Sequence, residues 1–304
     1  MPAETVELRP PRLDEAAAIA ALANRLTEEL VGERDETEAT VRQWLQAPEL
    51  DPELDIQVAV VGGELAGYAD LSPSGEPKLW VDFRVPPSVG DDVRDALLTW
   101  AERRARERKG SLVRGVTRDS DLRTKAAFER HGYELIRNSY RMRIELTEPP
   151  PQPEWPEGVS VRPASEADVR TAYETYLETF EDTWEFDRHP FDEWRYWMVE
   201  DGLDFSLWFL AEAGKETAGV ALCKPWEAEE GLGWVRVLGV RRPWRRRGLG
   251  RALLLHVFGE FHRRGFHAVG LGVDAESLTG AHLLYENAGM RVHRRTEIYE
   301  KVLA

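Results

Sequence analysis

Two clusters in the last quarter of the chain combine residue types that can do chemistry. The first runs Arg245-Arg246-Arg247-Gly248-Leu249-Gly250-Arg251, after the apolar stretch Val237-Leu238-Gly239-Val240 and a Pro243-Trp244 pair. Arginines offer bidentate hydrogen bonds to phosphate. Glycines at a helix start let an anion approach unpaired backbone N–H groups at the positive end of the helix dipole. The second cluster, Leu284-Tyr285-Glu286-Asn287-Ala288-Gly289-Met290, carries a phenol that can protonate a leaving group within hydrogen-bond reach.

Two phosphate motifs fail on spacing. A Walker loop needs four residues between its glycines and then Lys-Ser/Thr, whereas a single residue separates Gly248 from Gly250 and Arg251 follows. A dinucleotide fingerprint needs a third small residue where Leu253 stands. The pattern Arg-x-x-Gly-x-Gly after a strand resembles instead the acyl-CoA pyrophosphate loop of the GNAT superfamily of N-acyltransferases. The stretch from Asp274 to Met290, ending Leu-Tyr-x-x-x-Gly-Met, is similar to the last motif of that family.

The resemblance implies acetyl-CoA as acyl donor and a primary amine of a small molecule, expected from the charge distribution to be cationic, as acceptor, joined by direct attack in a ternary complex. It assigns the main chain of Leu238, Gly239 and Val240 to the pantetheine arm. The N–H groups of Arg245, Arg246, Arg247, Gly248, Leu249, Gly250 and Arg251 fall to the pyrophosphate, and Tyr285 to protonation of the departing thiolate. Ser277 stands where the family usually has Asn, so that contact to the arm is weakened or replaced. For deprotonating the amine, Glu181, Asp182, His189 and a water chain all stay open, and Arg236 occupies the strand where some relatives place an acidic base. The competing reading is a non-catalytic acyl-CoA-binding or sensor protein.

The elements that must position these groups recur. Val6-Glu7-Leu8-Arg9-Pro10 returns as Val159-Ser160-Val161-Arg162-Pro163, 153 residues on; Gly67 returns as Gly219, Gly110 as Gly265 and Gly132 as Gly289 at nearly the same offset. The periodicity predicts, in each repeat, a strand, one or two helices, a three-stranded meander, helix, strand, helix, strand. This is an α/β (α+β layered) fold of two tandem GNAT-like units, each a mixed sheet flanked by helices. Residues 1–148 and 159–304 form the repeats, with the Pro-rich 149–158 as a stiff linker. The tandem form resembles the mycothiol synthase group, although nothing in the loop near Glu181 identifies that acceptor. At the phosphate loop the first repeat has Pro86-Pro87-Ser88-Val89-Gly90-Asp91-Asp92, without arginine, and Phe128 replaces the tyrosine. Only the second repeat is therefore expected to be active.

Composition bounds the remainder. At 304 residues two domains of about 150 can each bury a core. A net charge of −15 argues against nucleic acid as partner. It is unevenly spread: residues 154–230 carry 20 Asp/Glu against 6 Lys/Arg, and residues 231–304 carry 13 Lys/Arg against 6 Asp/Glu. That bipolarity suits a polyanionic cofactor beside a cationic acceptor. No apolar run approaches a membrane span and the start lacks export features, so a cytoplasmic location is expected. The single cysteine, Cys223, sits in an apolar run and reads as core. His256 and His262, six apart, share no helix face, and no metal site is expected. Phe180, Trp184, Phe191, Trp194 and Trp197 read mainly as core, with one or two able to wall an acceptor pocket.

Overall fold

The computed structural model describes residues 5–34, 36–74, 77–199, 203–226, 229–277 and 280–303. In chain order the first repeat gives β1 (Glu7–Arg9), α1 (Ala16–Val31), α2 (Glu38–Leu45), β2 (Ile56–Val61), β3 (Glu64–Pro73), β4 (Lys78–Arg84), α3 (Asp91–Glu107), β5 (Leu112–Arg118), α4 (Leu122–Arg130) and β6 (Glu134–Glu145). The second gives β7 (Val159–Pro163), α5 (Val169–Phe180), α6 (Phe191–Met198), β8 (Trp208–Ala213), β9 (Glu216–Pro225), β10 (Leu232–Val240), α7 (Leu249–Arg263), β11 (Ala268–Asp274), α8 (Ala281–Asn287) and β12 (Arg291–Val302). This is the repeated order expected from the sequence pattern, in a mixed α/β architecture.

The chain packs as two compact units, Met1–Asn138 with Thr296–Ala304, and Ser139–Arg295. The last strand of each repeat therefore finishes in the other unit. In unit 1, residues 296–302 of β12 pair antiparallel with β5. In unit 2, residues 139–145 of β6 pair antiparallel with β11. The repeats at 1–148 and 159–304 and the packed units thus differ by this exchange of strands. Residues 149–158 belong to unit 2, where Trp155 packs edge-on against His256 of α7. Its indole gains by this partial burial, since apolar ring area leaves water.

Each unit has the same internal design. In unit 1 the strand order is β1-β2-β3-β4-β5-β12, antiparallel except for the β4–β5 pair. In unit 2 it is β7-β8-β9-β10-β11-β6, antiparallel except for β10–β11. One face of the unit 2 sheet packs on α7, whose Leu253, Val257 and Phe261 are fully buried at helical spacing. The other face packs on α5 and α6 through Val220, Leu222, Val237 and the aromatic cluster around Tyr173, Trp194 and Trp208. Trp194 is core, as expected, while Phe180 and Phe191 are partly buried against it. Cys223 is fully buried, and the apolar surroundings push its thiol well up, so it serves as a small hydrophobe. No helix among the described residues is long and apolar enough to cross a membrane.

Candidate active site

The site starts from a parting of strands. The parallel ladder joins residues 232–235 of β10 to residues 268–271 of β11. A bulge at Arg236 follows, after which β10 stays paired with β9 as far as Val240. β11 meanwhile continues along β6 to Asp274. Beyond Val235, β10 has no ladder partner on its β11 side among the described residues, so backbone groups of Leu238 and Val240 face a gap.

A short 3-10 turn, Arg242–Trp244, leads from β10 to α7. Gly248 caps that helix with φ +84°, a left-handed conformation that a side chain would strain. Gly239 is required by close approach: a Cβ there would lie 2.3 Å from Thr179 Oγ1. The gap and the helix start together form a cleft of about 600 Å³. Leu238, Gly239, Val240, Arg245, Arg246, Gly248, Gly250, Arg251 and Tyr285 all line it. Three residues assigned to the cofactor do not. Leu249 is buried beneath the cleft in the unit 2 core, because it starts the apolar stripe of α7. Arg247 places its guanidinium 5.2 Å from the Trp244 ring. Ser277 stands in the turn after β11, where its carbonyl accepts from Gly280 N at 3.0 Å.

Electrostatics divide the arginines by task. Arg245 donates to Val240 O at 2.9 Å, to Asp182 Oδ2 at 2.6 Å and to Thr179 O at 3.2 Å, so its fork ties the end of β10 to the end of α5. Asp182 also accepts from Arg242. Two guanidiniums hold its carboxyl well below the usual carboxylate range, which makes it a weak base. Arg241 pairs with Glu178 at 3.0 Å, continuing the lacing. Among the proposed bases only Asp182 lines the cleft, and there it is an anchor. Glu181 lies 3.5 Å from Arg242, and His189 Nδ1 lies 2.5 Å from a Glu193 oxygen. Sequence reasoning missed Thr179, Gly280, Ala281 and Leu284 as lining residues. The side chains of Thr179 and Leu284 are indistinguishable from ordinary helix surface and core until α5 and α8 are docked.

Tyr285 is 7% exposed, and burial pushes its phenol up to about 12. No described residue hydrogen-bonds its hydroxyl, which leaves that donor to whatever enters the cleft. Unit 1 shows the contrast. Arg94, fully buried, donates to the carbonyls of Val85, Pro86 and Val89 at 3.0, 2.7 and 2.8 Å. Its loop therefore wraps carbonyls around a cation where the loop of unit 2 offers glycines and arginines to an anion. Phe128 is buried and stacks on Tyr299 with ring centroids 5.2 Å apart.

We expect Asp182→Asn to loosen Arg245 and raise KM for acetyl-CoA about 3- to 10-fold, with kcat within about twofold. Steady-state kinetics decides this, and a collapse of kcat with KM unchanged would make Asp182 a proton acceptor instead.

A β-strand parted from its neighbour, a glycine-rich helix start flanked by arginines and a buried phenol define a CoA-dependent acyltransferase. Residues 169–290 match the model of the acetyltransferase (GNAT) family. A mycothiol acetyltransferase of Thermobispora bispora is 33% identical over 254 residues, 75% of this chain and 77% of that protein. A GCN5-related N-acetyltransferase structure from Sphaerobacter thermophilus has 33% identity and a TM-score of 0.80, covering 98% of this chain and 96% of that one. A tandem GNAT protein from the clavulanic acid biosynthesis pathway shares the fold at 17% identity and TM-score 0.76, with 99% of both chains covered. The chain belongs to the GNAT family and is an acetyl-CoA-dependent N-acetyltransferase.

Proposed function

We propose that unit 2 transfers the acetyl group of acetyl-CoA to the primary amine of a small, cationic acceptor by direct attack in a ternary complex. The observation that carries this reading is the joint presence, in one cleft, of the parted strand, the Gly248–Gly250 helix start and Tyr285. Acetyl-CoA supplies the activated thioester. Leu238, Gly239 and Val240 hold its arm through their backbone, while Gly248, Gly250, Arg246 and Arg251 bind its pyrophosphate. Tyr285 gives its proton to the departing sulfur, and burial, which pushes the phenol up to about 12, keeps it protonated through the neutral and mildly alkaline range. Water is the favoured route for the amine's proton, since Asp182 is held by two arginines. The acidic side chains near α5 and α6 suit a cationic acceptor.

A second reading is carried by the name of the relatives: the acceptor is mycothiol with its acetyl group removed. Both are tested by mixing the full chain with acetyl-CoA and a panel of primary amines that includes this compound, following thiol release. Amine-dependent release at least about tenfold over hydrolysis is expected. Acetyl-CoA binding without release for any amine would favour the sensor reading.

A further inference from the structure

Two rings that hold matching places in the two repeats lie at different depths. Tyr285 stands 157 residues after Phe128, and Tyr299 stands 157 after Met142, the offset that also relates Gly132 to Gly289. The backbones agree: Tyr133 N donates to Phe128 O at 2.9 Å and Met290 N donates to Tyr285 O at 3.0 Å, so α4 and α8 close on the same bond. The sheet rows agree as well. In unit 1 the row is Val81, Gly115 and Tyr299 across β4, β5 and β12. In unit 2 it is Val235, Leu271 and Met142 across β10, β11 and β6. Each is the last row of its parallel ladder, the point from which the two strands part.

What differs is the middle residue of that row. Gly115 leaves the sheet bare, and the tip of the Phe128 ring rests on it. A Cβ at Gly115 would run into Phe128 Cζ and lie 2.5 Å from Cε1, whereas carbon atoms pack at about 3.5–4.0 Å. Phe128 is fully buried there, stacked on Tyr299 at an interplanar angle of 19°, with its centroid 5.1 Å from that of Tyr133. Leu271 puts an isobutyl side chain at the matching position, so the placement of Phe128 is closed to Tyr285. Tyr285 instead forms part of the cleft wall. Leu271 is buried in the same apolar cluster and lies outside the cleft lining, so it can act on the chemistry only through its neighbours.

We infer that Leu271 is a positioning residue for the proton donor: its side chain props the Tyr285 ring off the sheet and so holds the hydroxyl at the cleft. This rests on the reading of Tyr285 as the donor. A ring with a void beneath it settles toward the void, because an empty cavity loses packing on one side. Proton transfer tolerates little such movement, since a displacement of about 1 Å can lower a rate on the order of 100-fold. Met142 closes the row from β6, so the first repeat supplies part of the apolar support in which the tyrosine of the second is set.

The test measures kcat and KM for acetyl-CoA on the full chain, with the amine of the panel that gives the fastest thiol release. Leu271→Gly, which copies unit 1, should lower kcat about 30-fold with KM for acetyl-CoA within about twofold. Leu271→Ala keeps the Cβ that closes the lower placement and should bring kcat back to within about threefold of wild type. A side chain that only filled space would lose with Ala nearly what it loses with Gly. Leu271→Gly combined with Met142→Tyr refills the void as Tyr299 does in unit 1. It should melt above Leu271→Gly alone while kcat stays low, and it carries the test if the single variant fails to fold. In a Tyr285→Phe background, Leu271→Gly should lower kcat by less than about twofold more. Equal losses for Gly and Ala, an equal loss in both backgrounds, or wild-type kcat in a folded Gly variant would overturn the inference and leave Tyr285 as donor. Wild-type kcat in Tyr285→Phe would instead remove the donor itself, and this inference with it.

Discussion

Tyr285→Phe is expected to lower kcat by about 100-fold with a good amine acceptor, while acetyl-CoA affinity stays within about threefold. The split follows from where the side chain sits. The ring belongs to the buried apolar cluster of unit 2 that includes Leu253 and Met290, so Phe keeps the apolar burial. The hydroxyl is the only part lost, and no described residue depends on it. Unit 1 already carries Phe128 at the matching position in a well-packed core, which shows that the fold accepts the ring without the oxygen. The pH profile gives a second readout. Because burial raises the phenol to about 12, kcat/KM of the wild type should show no alkaline fall below about pH 11 from this group. An unchanged rate in the variant would remove Tyr285 from the chemistry and leave thiolate departure to solvent.

The second large effect is at the helix start. Gly248→Val with Gly250→Val should weaken acetyl-CoA binding at least about 100-fold, equivalent to about 2.8 kcal/mol. Two causes act together. Gly248 has φ +84°, where a β-branched residue is strained, so the first N–H groups of α7 would turn from the cleft. At Gly250 a Cβ would stand 3.2 Å from Leu284 Cδ2, and a larger side chain would fill the cleft itself. Calorimetry with CoA alone checks the claim without needing the acceptor. Thermal melting of the same protein separates lost binding from lost fold, and retained affinity in a folded variant would contradict the role given to this loop.

The chain sequence carried the architecture in legible form because its signals are local. Alternation, helical periodicity and glycine stops repeat at nearly constant spacing, and the described elements follow that order. The helix start at Gly248 was readable for the same reason: glycines after a strand and before an amphipathic stripe have few other uses. The difference between Tyr285 and Phe128 needed only the comparison of one repeat with the other.

Tertiary structure decided what depends on partners distant along the chain. Asp182 reads equally as a base or as surface charge; only the docking of α5 against the turn after β10 brings Arg242 and Arg245, 60 and 63 residues away, onto its carboxylate. Arg94 looks like an exposed helix residue until the loop of Val85 to Val89 closes over it. The alternation of β6 and β12 predicts strands but not which sheet each joins, because any free edge offers the same backbone donors and acceptors. Asp70 looks like the solvent face of an alternating strand, and only the covering of that face by α1 and α2 buries it. Local pattern reports which face a residue takes; what covers that face, and which charges it meets there, is set by packing across the fold.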